Sequence, residues 1–187
     1  MKKILKIILI VFAVFFIAVF AGFALVIFDV AGNLATDTHP LPHGNATGKA
    51  LIVYSPGLTG GAKDVATKIG YNLQAAGYDV TLAGVKSSAA ADIASYDLVV
   101  VGGPIYAGKP ASAIQTYLNS LTQPAGVEVG VFGYGSVQID DADQTAVMGD
   151  VANLPSDSHL VLTAATKIAN SDDVDAKCRQ FVTNLLK

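Results

Sequence analysis

Three short stretches carry the residue types that can hold a ligand. Ser55-Pro56-Gly57-Leu58-Thr59-Gly60-Gly61-Ala62 lies between an apolar, β-rich run and a helical pattern. Gly57, Gly60 and Gly61 can adopt the dihedrals that curl a main chain around an anion. Successive N–H groups, followed by a helix N-terminus, supply donors and a field that favours negative charge. Ser55 and Thr59 add hydroxyl donors. The second stretch, Gly102-Gly103-Pro104-Ile105-Tyr106-Ala107-Gly108-Lys109-Pro110, follows a long apolar run. Its glycines allow close approach to a planar ligand, Pro104 fixes one backbone angle, and Tyr106 offers a ring to stack. In the third, Phe132-Gly133-Tyr134-Gly135-Ser136, backbone groups and the Tyr134 and Ser136 side chains can meet a ring edge. One anion-holding turn and two ring-lining stretches predict a cofactor with a phosphate and a flat ring, for which a flavin is the best fit.

Other chemistries find less support. The glycine spacing is not GxGxxG, and no acidic residue ends the second strand to meet a ribose. Lys63 is not followed by Ser or Thr, so the turn is not a Walker A loop. Ser55 lacks the GxSxG setting of a hydrolase nucleophile. His39 and His43 are four apart, but Pro40 and Pro42 argue against the helix that would make them metal ligands. Asp140, Asp141 and Asp143 lack the pattern of a calcium loop and read as a solvated turn and helix cap. Lys109 reads as a solvated side chain. Cys178 is the one cysteine, so the chain by itself forms no disulfide and no CxxC pair. With 12 basic and 15 acidic residues and a formal charge of −3, no basic patch marks a nucleic-acid partner.

The elements that must position these stretches alternate regularly from Lys49 onward. Strands are predicted at 50–54, 79–83, 97–101, 127–132 and 159–163. Helices are predicted at 62–76, 111–121, 141–153 and 172–186, with Val65, Ala66, Ile69 and Leu73 forming the inward face of the first. The unbroken apolar run Leu98-Val99-Val100-Val101 suits a parallel strand buried on both faces. Such alternation predicts a three-layer α/β domain on a parallel sheet. Ligands in open sheets of this kind bind beyond the carboxyl ends of the strands, which is where all three stretches fall.

Residues 7–28 contain no charge and are almost all Ile, Leu, Val, Phe or Ala. A helix of that length spans roughly 30 Å, the width of a bilayer core. The run exceeds the apolar core of a usual signal peptide, although cleavage after residues 30–35 is the alternative reading. Lys2, Lys3 and Lys6 before the span favour a cytoplasmic N-terminus, with the remaining domain on the outer side of the cell membrane. Residues 30–48, rich in Gly, Pro, Asn, Thr and His, read as a linker, and Asn45-Ala46-Thr47 within them as polar linker rather than a used glycosylation sequon. The predicted organisation is a transmembrane anchor over 1–29, a linker over 30–48 and a folded domain over 49–187.

The three stretches and the βα rhythm resemble the flavodoxin family over residues 49–186. Leu51-Ile52-Val53-Tyr54-Ser55 looks like that family's first strand entering its phosphate loop, with Asp64-Val65-Ala66 and Ile69 opening its first helix. Gly102-Gly103-Pro104-Ile105-Tyr106 looks like the first ring loop and Phe132-Gly133-Tyr134-Gly135-Ser136 like the second. The resemblance implies a five-stranded parallel sheet in the order 2-1-3-4-5 between two helical layers. It implies FMN as cofactor, its phosphate on Ser55–Ala62 and its ring near Gly103–Gly108 and Gly133–Ser136. Where the family turn reads roughly Ser/Thr-x-Thr-Gly-Asn-Thr, this chain has Pro56-Gly57-Leu58-Thr59-Gly60-Gly61, so more of the binding falls to main chain. The implied function is a membrane-anchored FMN electron-transfer protein, with lipid around the N-terminal helix and a redox protein or quinone at the flavin edge. An FMN-dependent NAD(P)H or quinone oxidoreductase and a flavodoxin-like interaction module without flavin are the alternatives.

Overall fold

The structure is a computed structural model, and it describes residues 2–30, 35–136 and 143–187. Helix α1 (Lys2–Val30) precedes a domain in which strands and helices alternate. The strands are β1 (Thr38–Leu41), β2 (Gly48–Tyr54), β3 (Tyr78–Gly84), β4 (Leu98–Tyr106), β5 (Lys109–Pro110), β6 (Glu128–Gly135) and β7 (Leu162–Ala169). The helices are α2 (Gly61–Ala75), α3 (Ser112–Ser120), α4 (Gln144–Val151) and α5 (Val174–Leu185).

Strand periodicity divides the core in two. Along β2, Ala50, Ile52 and Tyr54 point to one face and Leu51 and Val53 to the other. The first face is covered by α2, through Val65, Ala66, Ile69 and Leu73, and by α5, through Cys178, Phe181, Val182 and Leu185. The second is covered by α3, through Ile114 and Leu118, and by α4, through Val147 and Val151. This is the three-layer α/β/α arrangement. Helix α2 ends where Gly77 takes a φ of +99°, a conformation that costs glycine little.

The sheet departs from the five-stranded, all-parallel order 2-1-3-4-5. Among the described residues it has seven strands and is mixed: β1-β3-β2-β4-β6-β7, with β5 paired to β4. Strand β1 runs antiparallel to β3 from Thr38 opposite Ala83 to Leu41 opposite Val80. It lies within the stretch read as a linker. Its Thr-His-Pro residues are exposed, so no apolar alternation announces it, and Pro40 is tolerated because the strand is at an edge. Strand β5 is too short for any period to register; it closes a two-residue hairpin on β4 in which Ala107 (φ +50°) and Gly108 (φ +75°) both take positive φ.

Two stretches read as loops are also strand. Strand β4 continues through Gly102 to Tyr106, although glycine and proline ordinarily weaken a strand. The glycines are there for space: a Cβ on Gly102 would lie 2.3 Å from Phe132, and one on Gly103 2.9 Å from Ile114. Strand β6 likewise runs on to Gly135. The last strand occupies Leu162–Ala169 rather than 159–163, because its inner half, Ala164-Ala165-Thr166-Lys167, has little intrinsic β-preference and gains it from pairing with β6.

Candidate functional site

Strand β2 ends at Tyr54 and α2 begins at Gly61, and the turn between them is built on two left-handed glycines, Gly57 (φ +72°) and Gly60 (φ +77°). The Gly60 N–H closes the turn on the Gly57 carbonyl at 3.0 Å. Gly61, Ala62 and Lys63 open α2, where N–H groups have no acceptor within the helix. The Gly61 N–H donates a long contact, 3.5 Å, to Thr59 Oγ1. Beneath the turn Ser55 is fully buried and its Oγ has no hydrogen-bond partner among the described residues. A buried hydroxyl without a partner is costly, by about 1–3 kcal/mol, unless a bound ligand or water supplies one. Orphaned hydroxyl, glycine turn and helix N-terminus form a donor set that fits a phosphate.

The other predicted residues close around this turn. A Cβ on Gly57 would lie 3.3 Å from Pro104 and 3.7 Å from the Tyr106 hydroxyl, and one on Gly103 would lie 3.2 Å from Ser55 Cβ. The Leu58 N–H donates to the Tyr106 hydroxyl at 3.4 Å. The Tyr134 ring abuts the start of α2: a Cβ on Gly61 would come within 2.2 Å of it. The turn, β4 and β6 therefore meet at the carboxyl ends of adjacent parallel strands. Ile105, Ala107, Gly108, Gly135 and Ser136 stand apart from the turn, around a separate cavity of about 250 Å³ between the ends of β4 and β6.

Charged groups outside the predicted set also converge here. Asp29, the first charge after the apolar run of α1, is fully buried and accepts a hydrogen bond of 2.5 Å from the Tyr106 hydroxyl. Burial, then this bond to Asp29, pushes the Tyr106 phenol up to about 12. Lys63 donates to Asp37 Oδ2 at 2.6 Å, and its ammonium lies 5.8 Å from the centre of the Tyr54 ring. Burial works to raise the Asp37 carboxyl, but Lys63, Tyr54 and His39 outweigh it and hold Asp37 below its ordinary value of 3.8. Residues 35–37 are anchored as well, through Gly84 N–H to Asp37 O at 2.8 Å and Lys86 N–H to Ala35 O at 2.8 Å. Lys167, 3% exposed on β7, pairs with Asp150 of α4 beside the cavity.

A signal for Lys167 exists in the sequence, as the single charge in an otherwise uncharged strand. Asp29 and Asp37 carry none, since their partners are remote in the chain. Asp143 caps α4 by accepting from the Ala146 N–H at 3.0 Å, while Asp140, Asp141 and residues 31–34 of the possible cleavage region lie outside the described residues. Cys178 is buried between α5 and α2, and desolvation pushes its thiol up to about 12, which keeps it protonated and unreactive.

A family model for the flavodoxin domain matches residues 51–161. No curated protein matches the sequence. Among solved structures, a Streptococcus pneumonia TIGR4 flavodoxin is 19% identical, with a TM-score of 0.52 over 74% of this chain and 97% of that one. Oxidised Flavodoxin 2 from Bacillus cereus is 22% identical, with the same TM-score and coverage. A flavodoxin from the domain Archaea is 14% identical, with a TM-score of 0.52 over 73% of this chain and 95% of that one. At these identities the likeness is one of fold, but the family model spans more than half of the sequence, from β2 to the approach of β7. The chain belongs to the flavodoxin domain family.

Proposed function

We propose that this chain binds FMN at the Ser55–Ala62 turn and transfers electrons, held at a membrane by α1. The observation that carries the reading is the buried, partnerless Ser55 hydroxyl beneath a left-handed glycine turn, at the place where the family holds a phosphate. Ser55, Thr59 and the main chain of the turn and of Gly61 and Ala62 would hold the phosphate. Gly103–Gly108 and Gly133–Ser136 would line the ring. When bound, FMN supplies the one- or two-electron chemistry. The chain's part is to grip, orient and shield. Tyr106 and Tyr134 flank the turn, and a Tyr106 phenol raised to about 12 stays neutral beside an anion at physiological pH.

Helix α1 supports the membrane reading. Its stretch Lys3–Asp29 is long and apolar enough to cross a bilayer, and large side chains such as Phe12, Ile17 and Phe20 are exposed along it. In this reading residues 1–29 are the anchor, the N-terminus is cytoplasmic, the folded domain lies on the outer side, and a redox protein or quinone meets the flavin edge. Residues 30–48 do more than link, because Asp37 and β1 belong to the sheet.

The test is a fluorescence-quenching titration of the full chain in detergent with FMN and riboflavin in parallel. Tight FMN binding with much weaker riboflavin binding is expected. Binding of neither would leave a flavodoxin-like interaction module. Oxidation of NAD(P)H by the FMN-loaded chain without a separate reductase would favour the oxidoreductase reading over the carrier.

A further inference from the structure

The cavity between the ends of β4 and β6 is lined by a buried charge, Lys167. Register places Lys167 of β7 beside Gly133 of β6, and Gly135 two residues on has no side chain to fill the space. A Cβ at Gly135 would sit 3.8 Å from Lys167 Cε. Ile105, Ala107 and Gly108 close one side of the cavity and Gly135 and Ser136 the other, with Lys167 and Asp150 completing it. These two walls are the two segments that the FMN reading assigns to the ring.

Burying an ammonium costs free energy unless a counter-charge offsets it, and Asp150 is that partner. The pair is uneven. The Lys167 side chain is 4% exposed and that of Asp150 20%. Water screens the carboxylate more than the ammonium, so the field inside the cavity has a positive excess. An ammonium also has three donors, of which Asp150 engages one contact. Lys167 itself lines the cavity of about 250 Å³. A positive charge in a poorly screened site stabilises whichever form of a bound ring is more negative.

We propose that Lys167 is a positioning residue that sets the reduction potential of the bound flavin: its ammonium borders the slot between the two ring segments and favours the reduced, more negative ring. The inference rests on the FMN reading above. It predicts that Lys167 tunes redox balance rather than phosphate grip, since the cavity it lines includes no residue of the Ser55–Ala62 turn.

The experiment uses the full chain in detergent, loaded with FMN, with Lys167→Met and Asp150→Asn. Affinities for oxidised and reduced FMN and the midpoint potential are measured together. Lys167→Met is expected to weaken binding of reduced relative to oxidised FMN by about tenfold, a fall of about 30 mV for a two-electron couple. Asp150→Asn leaves the ammonium uncompensated and is expected to shift the ratio in the opposite direction. Opposite signs are a signature that a purely structural role would not produce. If Lys167→Met fails to fold, Asp150→Asn alone decides: an upward shift supports the proposal and an unmoved potential overturns it. FMN bound normally with potentials unchanged in both variants overturns the inference and leaves the FMN reading standing. No FMN uptake by the wild-type chain overturns both.

Discussion

Ser55 and Gly57 sit two residues apart in the same turn and make opposite demands on it. Ser55 is a buried hydroxyl without a partner, so Ser55→Ala removes a desolvated group and leaves the stability of the ligand-free chain unchanged or higher by up to about 1 kcal/mol. The same change is expected to weaken FMN about tenfold while leaving riboflavin unaffected, as parallel titrations would show. Gly57 takes a φ of +72°, and a Cβ there would lie 3.3 Å from Pro104. Gly57→Ala is therefore expected to cost about 1–2 kcal/mol in urea unfolding and to weaken FMN binding as well. Tyr106 offers a spectroscopic check. Its phenol is expected to ionise near 12 in an absorbance titration, and Asp29→Asn to lower that value by removing the carboxylate that raises it.

Strand β1 and the residues before it form an element that the composition of 30–48 conceals. Asp37 reaches Lys63 in the first turn of α2 and ties this segment to the base of the candidate phosphate turn. Because its folded value is held below 3.8, Asp37 contributes stability that is fully present above that ordinary value. The contribution is lost as pH falls through the lower folded value. Asp37→Asn is expected to flatten the acid limb of a stability–pH profile between about pH 5 and 2, measured by chemical unfolding at each pH. The face that α2 covers depends on α5 as well. Phe181 is 2% exposed and packs under Gly130, where a Cβ would lie 2.9 Å from its ring. Phe181→Ala is expected to cost about 3–5 kcal/mol in urea unfolding.

At the scale of the whole molecule, α1 and the domain meet at the candidate cofactor site. Asp29 is the last residue of the membrane-spanning candidate, and its carboxylate reaches the Tyr106 hydroxyl, which in turn accepts from Leu58 of the turn. A negative charge held beside the candidate phosphate turn would oppose a phosphate through like-charge repulsion. Asp29→Asn in the full chain is expected to tighten FMN binding several-fold and to leave riboflavin, which has no phosphate, unchanged. Equal effects on both ligands would assign the change to ring contacts instead.

The sequence by itself determined the alternation of strands and helices, the inward face of α2, the long apolar helix, and the three stretches that gather at one end of the sheet. These follow from local periods and turn chemistry, which a chain carries residue by residue. The tertiary structure decided the rest. Thr38–Leu41 has no strand period of its own and becomes β1 only because β3 offers an edge. Gly102–Tyr106 resembles a loop in composition and is strand because it pairs with β6 and β5, with Phe132 and Ile114 leaving no room for side chains at Gly102 and Gly103. That Ser55 lacks a partner, that Asp29 reaches Tyr106 across 77 positions, and that Lys167 borders the space between β4 and β6 are relations between distant segments. No local pattern encodes them, because each depends on which strands become neighbours and where water is excluded.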